Sequence, residues 1–375
     1  MGTLFLEPRL RKNIDRYLLL AVALLMAASL LAIHAATWNT RAGAGPALRQ
    51  GVYFAVGLVL MGLVAARDYA NVPRIAGFLY WGNLAVLALV LLFAPDVKGA
   101  ARWIHLPIPG MDVKLQPSEF AKVSVILTLS GYVAGFGARI RELPVLLKTL
   151  GHVLVPMVLI MKQPDLGTSL VLLAIWTGIV FLAGARWQHL LGLLLVGVVL
   201  FTAAWKVDLI KGYQKDRVRT FANPMSDPLG KGYHVLQSEI AIGGGQVTGQ
   251  GLYRGMQTNN HFIPENHTDF IFTVVGEETG FVGASLLLGV YALLLFRGLV
   301  TIAECEDPIG RLIAGGVVTL FAFHLMVNMG MTCGIMPVVG VPLPLMSFGG
   351  SSAWANLIAV GLLLGIHMRR HKILF

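Results

Sequence analysis

The sequence predicts an all-α polytopic membrane protein with about ten transmembrane helices and one large extracytoplasmic loop between the seventh and eighth. Three observations support this fold class. Of 375 residues, 56% are hydrophobic and only 13% are charged, which is roughly half the charged fraction of a soluble domain. The mean hydropathy is +0.73. The apolar residues also gather into runs long enough to cross a hydrocarbon core about 30 Å thick as helices.

Ten predicted spans follow one another in a single domain that covers residues 1–375. They lie near residues 17–36, 50–66, 75–94, 117–137, 149–161, 166–184, 189–205, 270–296, 309–330 and 352–367. The first follows a basic stretch, as a signal peptide would, but its apolar run is too long for one and nine more spans follow. The fifth is short and ends beside Pro164, so the fifth and sixth could form a broken pair.

An even number of spans places both termini on the same side of the membrane. Once the longest loop is set aside, more Lys and Arg residues lie on the side of the termini, which predicts cytoplasmic termini. Three long loops, at 95–116, about 206–268 and 331–351, then share the outer face. Connections need only a few residues, so loops of this length indicate function at that face.

Composition and motifs exclude several other classes. The two cysteines are too few for a disulfide framework or a cysteine-rich metal site. The net charge of +10 is scattered between apolar runs, so we expect no nucleic-acid partner. The glycine triplet at 243–245 lacks the Lys-Ser/Thr of a phosphate-binding P-loop. No Rossmann fingerprint, zinc-protease motif or Ser-His-Asp arrangement is present, and no internal repeat suggests a transporter.

An ionisable pair and a single carboxylate lie at the boundaries of two predicted spans. Because burying a charge in the membrane is costly, ionisable residues at such positions are candidates for function. Glu119 and Lys122 lie three residues apart at the start of the fourth span, within pairing distance on one helical face. Their pair either lets both residues enter the membrane or lines a polar cavity. Asp165 opens the sixth span, where it is either a helix cap or a second cavity carboxylate.

The segment PENHTDFIF at 264–272 is the richest in ionisable groups. Asp269 stands at the outer end of the eighth span, as an N-cap or, at a partly dry interface, as a general base. His267 is a candidate helper, or only a hydrogen-bonding neighbour. Glu277 and Glu278 follow deeper in the span and require partners that the sequence does not identify.

Three basic residues of the long loop, Lys215, Arg217 and Arg219, are candidates for binding substrate phosphates, because guanidinium groups bind phosphate through paired hydrogen bonds. The alternative is an ordinary solvated surface. The sequence indicates no certain cofactor. Carboxylate chemistry is compatible with a divalent cation (Mg²⁺ or Mn²⁺), for which Asp269 would be the ligand.

Several segments together resemble the SEDS family (shape, elongation, division and sporulation), and the resemblance covers nearly the whole chain. Besides PENHTDFIF they are QPSE at 116–119, QPDLGTS at 163–169, DPLGKGYH at 227–234 and PVVGVPLPLMSFGGSS at 337–352. Within this family, VGVPLP at 339–344 is more similar to elongation members than to division members.

The resemblance implies a ten-helix peptidoglycan glycosyltransferase that polymerises lipid II outside the bacterial cytoplasmic (inner) membrane and releases undecaprenyl pyrophosphate. By matching motif, Asp269 takes the position of the family's essential acid, Glu119 and Lys122 that of its ion pair, and Asp165 that of its second cavity carboxylate. The implied partners are a class B penicillin-binding protein transpeptidase and other membrane proteins of the elongation machinery.

The sequence leaves alternatives to an elongation polymerase open. A division member of the same family would carry the same chemistry. A lipid II flippase would share the basic cavity without needing a base, although an acid at the outer boundary favours surface chemistry over a midplane pathway. A scaffold that only recruits the transpeptidase would leave the clustered polar residues without a role.

Overall fold

The computed structural model describes residues 12–40, 43–93, 102–108, 111–208, 212–223, 231–264 and 266–370. Within these residues the chain is mostly helical. The helices are α1 (Arg16–Thr37), α2 (Gly45–Ala66), α3 (Val72–Phe93), α4 (Pro117–Ala134), α5 (Leu143–Lys162), α6 (Leu166–Leu182), α7 (Trp187–Lys206), α8 (Gly212–Ala222), α9 (Lys231–Gly244), α10 (Met256–Asn259), α11 (Ile271–Glu304), α12 (Pro308–Thr332) and α13 (Gly350–Met368).

Each of the ten predicted spans corresponds to a helix, and the multi-pass architecture is confirmed. Eight of the described helices are long and apolar enough to cross a membrane by themselves. The other two predicted spans correspond to α6, which has 17 residues, and to α4, which carries Glu119 and Lys122 in its first turns. A short helix, or one that carries buried charged residues, needs neighbouring helices around it.

The fifth and sixth spans are separate antiparallel helices, so the expectation of a broken pair is wrong. Helix α5 begins at Leu143 and has 20 residues, six residues earlier than the apolar run suggested. The indole of Trp176 on α6 donates to Thr149 Oγ1 on α5 at 3.0 Å, which requires the two helices to run back along each other. Lys148 interrupted the hydropathy signal just before the predicted start of this span, and it is exposed, whereas buried Thr149 is accommodated by its contact with Trp176.

The ends of the described chain meet on one face, as an even number of spans requires. Asn13 Nδ2 donates to the carbonyl of Met368 at 3.5 Å. The three long loops gather at the opposite face: the Gln116 amide donates to Ser351 Oγ at 2.9 Å, and the Phe348 amide donates to the His267 carbonyl at 3.0 Å. The prediction that these loops share a face is therefore confirmed.

The first of these loops contains a β-hairpin, so the fold is not purely α-helical. Strands β1 (Ile104–Ile108) and β2 (Met111–Leu115) pair antiparallel, with Ile104 opposite Leu115. Ser351 Oγ donates to the Lys114 carbonyl at 3.1 Å and so ties the hairpin to the start of α13. A search for apolar runs of span length could not detect strands of five residues.

The described part of the longest loop contains three helices, α8, α9 and α10. Helix α9 packs against the outer ends of α11 and α12, where buried Ser238 donates to the Thr332 carbonyl at 2.8 Å and lies 2.6 Å from Thr273 Oγ1. This packing extends the bundle beyond the span boundaries.

Helix α11, the eighth span, is kinked at Gly280, whose φ of 63° and ψ of −161° are not helical. The segment 246–251 fills the break: the Gln250 amide donates to the Glu277 carbonyl at 3.0 Å, and the Phe281 amide donates to the Gln246 carbonyl at 2.8 Å. A Cβ at Gly280 would lie 2.3 Å from the Gly249 nitrogen. Glycine is therefore required both by the backbone angle and by this close approach.

Residues 333–349, which we call the re-entrant segment, enter the bundle instead of lying on its surface as predicted. Backbone polar groups away from water need partners, and side chains of surrounding helices supply them. Ser29 of α1 donates to the Met346 carbonyl at 2.7 Å, and Tyr291 of α11 donates to the Pro344 carbonyl at 2.5 Å. Tyr291 is completely buried, midway along its helix, so the segment reaches deep between the spans.

Candidate active site

The predicted ion pair of α4 is present and almost completely buried. Lys122 Nζ lies 2.9 Å from Glu119 Oε1, and the exposed fractions of the two residues are 1% and 3%. Pro117 starts the helix, since its fixed φ suits the first turn and its missing amide costs nothing there. Removing two opposite charges from water together is far less costly than removing either alone.

His324 of α12 completes this pair, and the sequence did not single it out. Its Nε2 lies 3.2 Å from Lys122 Nζ, and its Nδ1 lies 2.9 Å from the Pro342 carbonyl in the re-entrant segment. Because a carbonyl only accepts and an ammonium only donates, this geometry fits the tautomer with the proton on Nδ1. His324 therefore links the Glu119–Lys122 pair to the re-entrant segment.

Asp165 caps α6 and also accepts hydrogen bonds from the QPSE motif at 116–119. The two predicted roles, helix cap and cavity carboxylate, are therefore compatible. Its Oδ1 accepts from the Thr168 amide at 3.1 Å. Its Oδ2 accepts from Gln116 Nε2 at 3.0 Å, from Thr168 Oγ1 at 2.9 Å and from Ser118 Oγ at 3.3 Å. These bonds replace hydration of a residue that is only 4% exposed, and they fasten α6 to the start of α4.

Asp269 is partly exposed and lies at the outer end of α11. The N-cap of this helix is Phe270, so the predicted N-cap is one residue too early. Asn328 of α12 donates both to the Asp269 carbonyl and to the Val341 carbonyl, each at 2.8 Å. A Cβ built at Gly340 would lie 3.4 Å from Asp269 Oδ2, which places the carboxylate beside the re-entrant segment.

Residues 339–342 of the re-entrant segment bring the four predicted charged residues together. On one side, a Cβ at Gly167, two residues after Asp165, would lie 2.8 Å from the Val339 carbonyl. Gly340 borders the carboxylate of Asp269, and Pro342 accepts from the histidine that holds Lys122. The site is therefore one polar cluster arranged around a backbone segment, with Asp269 as its partly exposed member.

His267 contacts the end of the re-entrant segment. Its ring packs against Phe348 with ring centroids 5.6 Å apart, and its Nδ1 lies 3.4 Å from Asn266 Oδ1. The guanidinium of Arg49 lies over the same Phe348 ring, 5.9 Å from its centroid. The helper role of His267 stays a prediction.

The three basic candidates lie on α8 but have different surroundings. Lys215 forms an ion pair with Asp208, and this hydrogen bond lowers the pKa of Asp208. The ammonium of Lys215 also lies 5.6 Å from the Trp205 ring centroid. Arg217 instead lines a small pocket with Val235 and residues of the re-entrant segment, while Arg219 is exposed. Arg217 is thus the basic candidate that adjoins the same segment as Asp269.

Glu277, for which the sequence offered no partner, caps helix α10. It accepts from the Gln257 amide at 2.6 Å, from the Thr258 amide at 3.0 Å and from Thr258 Oγ1 at 2.6 Å. It is therefore a structural residue that anchors the long loop. Glu278 beside it is also buried. Glu265 and residues 227–230 of the family-like motifs lie outside the described residues.

The described residues do not group His, Cys, Asp and Glu side chains into a set of three or more that could hold a metal ion. Asp269 would be a single protein ligand, and Mg²⁺ is often held by one or two carboxylates together with substrate phosphates and water. The divalent cation therefore stays a prediction.

Known proteins are similar to this chain over most of its length. Residues 13–372 match the family model described as cell cycle protein, FtsW/RodA/SpoVE. The peptidoglycan glycosyltransferase MrdB of Escherichia coli strain K12 is 40% identical over 325 residues, which cover 84% of this chain and 85% of MrdB.

Two solved structures are similar over 96% of this chain. A chain from a study of how a peptidoglycan synthase complex coordinates polymerization and crosslinking has a TM-score of 0.80 and 34% identity, and 99% of it is covered. The rod shape determining protein RodA of Thermus thermophilus has a TM-score of 0.70 and 30% identity, and 98% of it is covered.

Proposed function

The chain belongs to the FtsW/RodA/SpoVE family of cell cycle proteins, and from this premise we propose that it is a peptidoglycan glycosyltransferase of the elongation type. It is a multi-pass membrane protein, and its relative MrdB is named for this activity. The observation that carries the mechanism is the position of Asp269, a partly exposed carboxylate at the edge of an otherwise buried polar cluster.

Asp269 acts as the general base in this proposal. It accepts the proton of the acceptor sugar's 4-hydroxyl as that oxygen attacks the anomeric carbon of the donor lipid II. The bond from the anomeric carbon to undecaprenyl pyrophosphate breaks as the glycosidic bond forms. Asn328 holds the Asp269 backbone, which keeps the carboxylate in place during the transfer.

The buried members of the cluster position the base instead of exchanging protons with substrate. Lys122 is held by Glu119 and His324, and His324 holds the Pro342 carbonyl. Asp165 fastens the start of α6, where Gly167 lies against Val339 of the same backbone stretch, to the start of α4. Preorganised groups of this kind lower the cost of reaching the transition state, because they do not have to rearrange during it.

Arg217 is the proposed partner of the leaving pyrophosphate, because it lines the pocket beside the re-entrant segment. Guanidinium groups bind phosphate oxygens through two parallel hydrogen bonds. Arg219, exposed on the same helix, would help to attract the substrate. Lys215 is less suited, since Asp208 already holds its ammonium.

The proposed location is the cytoplasmic (inner) membrane, with both termini in the cytoplasm and the Asp269 site outside. The meeting of the two described ends on one face supports a common side for the termini, and the distribution of basic residues supports the cytoplasm. A class B penicillin-binding protein is the proposed partner, because a similar chain belongs to a complex that coordinates polymerization and crosslinking.

The decisive experiment compares Asp269→Asn with Asp208→Asn in the full-length protein, purified with and without the transpeptidase and supplied with lipid II. General-base catalysis contributes about 10²–10⁴-fold, so we expect Asp269→Asn to lose at least about 100-fold in glycan synthesis. The control variant Asp208→Asn, which changes an exposed carboxylate of the longest loop, should retain activity. Thermal unfolding and partner binding establish that both variants fold. Normal glycan from a folded Asp269→Asn protein would overturn the mechanism.

A further inference from the structure

A second polar pocket lies on the face where the described chain ends meet, opposite the Asp269 site. Residues 12–17, Arg297 of α11, and His367 and Arg370 at the end of α13 line about 490 Å³ of open space. We call it the terminal pocket. Four of its lining side chains are cations, Lys12, Arg16, Arg297 and Arg370, against the single carboxylate of Asp15.

That carboxylate is already fully used by the protein. Asp15 Oδ1 accepts from the amides of Tyr17 and Leu18 at 3.1 and 3.0 Å and so caps α1. Its Oδ2 accepts from Arg297 Nε at 2.8 Å. The side chain of Asp15 is completely buried, so it cannot turn towards the other cations of the pocket.

The remaining positive charge lies on side chains at the opening of the terminal pocket. Arg370 is paired with Glu304 at 2.8 Å, which leaves Lys12 and Arg16. Both are exposed, and neither forms an ion pair with another described residue. The terminal pocket thus combines a rigid, charge-paired floor with two cations at its opening that favour an anion.

Apolar surface begins where the pocket ends. Tyr17, Leu20 and Leu24 are exposed along one face of α1, and Phe296 and Leu299 are exposed on α11 beside Arg297. Residues at this spacing form a continuous stripe along a helix. A ligand with an anionic head and long apolar chains would match both the charge of the pocket and the surface that continues from it.

We propose that the terminal pocket binds the phosphodiester headgroup of an anionic membrane lipid, whose acyl chains lie along α1 and α11. Basic pockets between membrane helices bind such headgroups through charge and hydrogen bonds. The site is separate from the glycosyl-transfer chemistry, because α11 and α13 carry the two sites at opposite ends. Its location in the cytoplasmic leaflet rests on the proposed orientation of the protein.

The test measures lipid bound to the full-length protein in detergent by native mass spectrometry. Dioleoyl phosphatidylglycerol is titrated against dioleoyl phosphatidylcholine, with inorganic phosphate as a competitor. The pocket variant is Lys12→Gln/Arg16→Gln. Its matched control is Arg74→Gln/Arg139→Gln, which removes two exposed cations from the same face outside the pocket.

We expect the wild-type and control proteins to prefer the anionic lipid and the pocket variant to bind it about 30-fold more weakly, as loss of two interfacial cations implies. Equal weakening in the control, or equal binding of both lipids by the wild type, would overturn the proposal. Displacement of the lipid by inorganic phosphate would assign the pocket to a soluble anion and would equally overturn it. Glycan synthesis by the pocket variant reports on the proposed function independently, since none of these residues lies near Asp269.

Discussion

Helices α12 and α7 have the same mean hydropathy but opposite positions in the molecule. Of the most apolar stretch of α12, 72% is buried inside the protein, whereas none of α7 is buried. Hydropathy therefore predicts that both helices enter the membrane and says nothing about where they lie in the bundle. The polar groups along each helix carry that second kind of information.

The side chains of α12 explain its central position. Gly316 allows close packing, because a Cβ there would lie 2.9 Å from Ile126 of α4 and 3.0 Å from Ile179 of α6. His324 and Asn328 bind carbonyls of the re-entrant segment. Small residues and interhelical hydrogen bonds are what hold membrane helices together, since the lipid is as apolar as the side chains. The polar residues of α7, by contrast, lie near its ends.

The largest loss of stability should come from breaking the Glu119–Lys122 pair, which His324 of α12 contacts. Lys122→Met leaves Glu119 buried without its partner, which costs about 3–5 kcal/mol. The double variant Glu119→Gln/Lys122→Met should recover much of this stability, because no charge is then buried alone. Equilibrium unfolding in detergent mixtures measures both. A stable single variant would show that water reaches this cluster.

A matched pair of truncations tests the comparison of the two helices directly. Leu320→Ala on α12 removes a side chain that is 1% exposed and should destabilise the protein by about 2–5 kcal/mol. Leu195→Ala on α7 removes one that is 57% exposed. The same unfolding assay serves for both. Similar losses for the two variants would mean that α7 is packed against another chain or helix in the membrane.

Loss of the link between α12 and the re-entrant segment should have a smaller effect on stability. His324→Leu leaves the Pro342 carbonyl unpaired at a cost of about 1–3 kcal/mol, and it removes the acceptor of Lys122. If His324 only positions the cluster, kcat for glycan synthesis should fall while KM for lipid II changes little. His324→Gln, which can donate and accept, should restore part of the rate. Unchanged kinetics in His324→Leu would remove the histidine from the site.

The smallest effect is expected on α7 itself. Leu195→Ala should change the free energy of unfolding by no more than about 0.5 kcal/mol, as exposed positions generally do, and leave glycan synthesis intact. Polymerisation of lipid II by the purified variant checks the second expectation. A strong loss of activity without loss of stability would instead indicate that this face contacts substrate or partner.

The sequence by itself determined the approximate number and the order of the spans, the common side of the termini and the identity of the main charged residues. A bilayer imposes these features locally, because each span must supply enough apolar residues and each charge near it must be justified energetically. Glu119, Lys122, Asp165 and Asp269 were recognisable for this reason.

Only the tertiary structure decided how these residues meet. The sequence could not show that residues 333–349 enter the bundle, that His324 joins Lys122 from 202 residues away, or that Arg217 faces the re-entrant segment while Lys215 is held by Asp208. The extra length of α5 and the hairpin at β1 and β2 were also missed. The re-entrant segment, His324 and Arg217 depend on contacts between distant parts of the chain, because buried polar groups find their partners in space and leave no periodic signal along the sequence. The hairpin is local, but its strands of five residues are too short for a search for apolar runs.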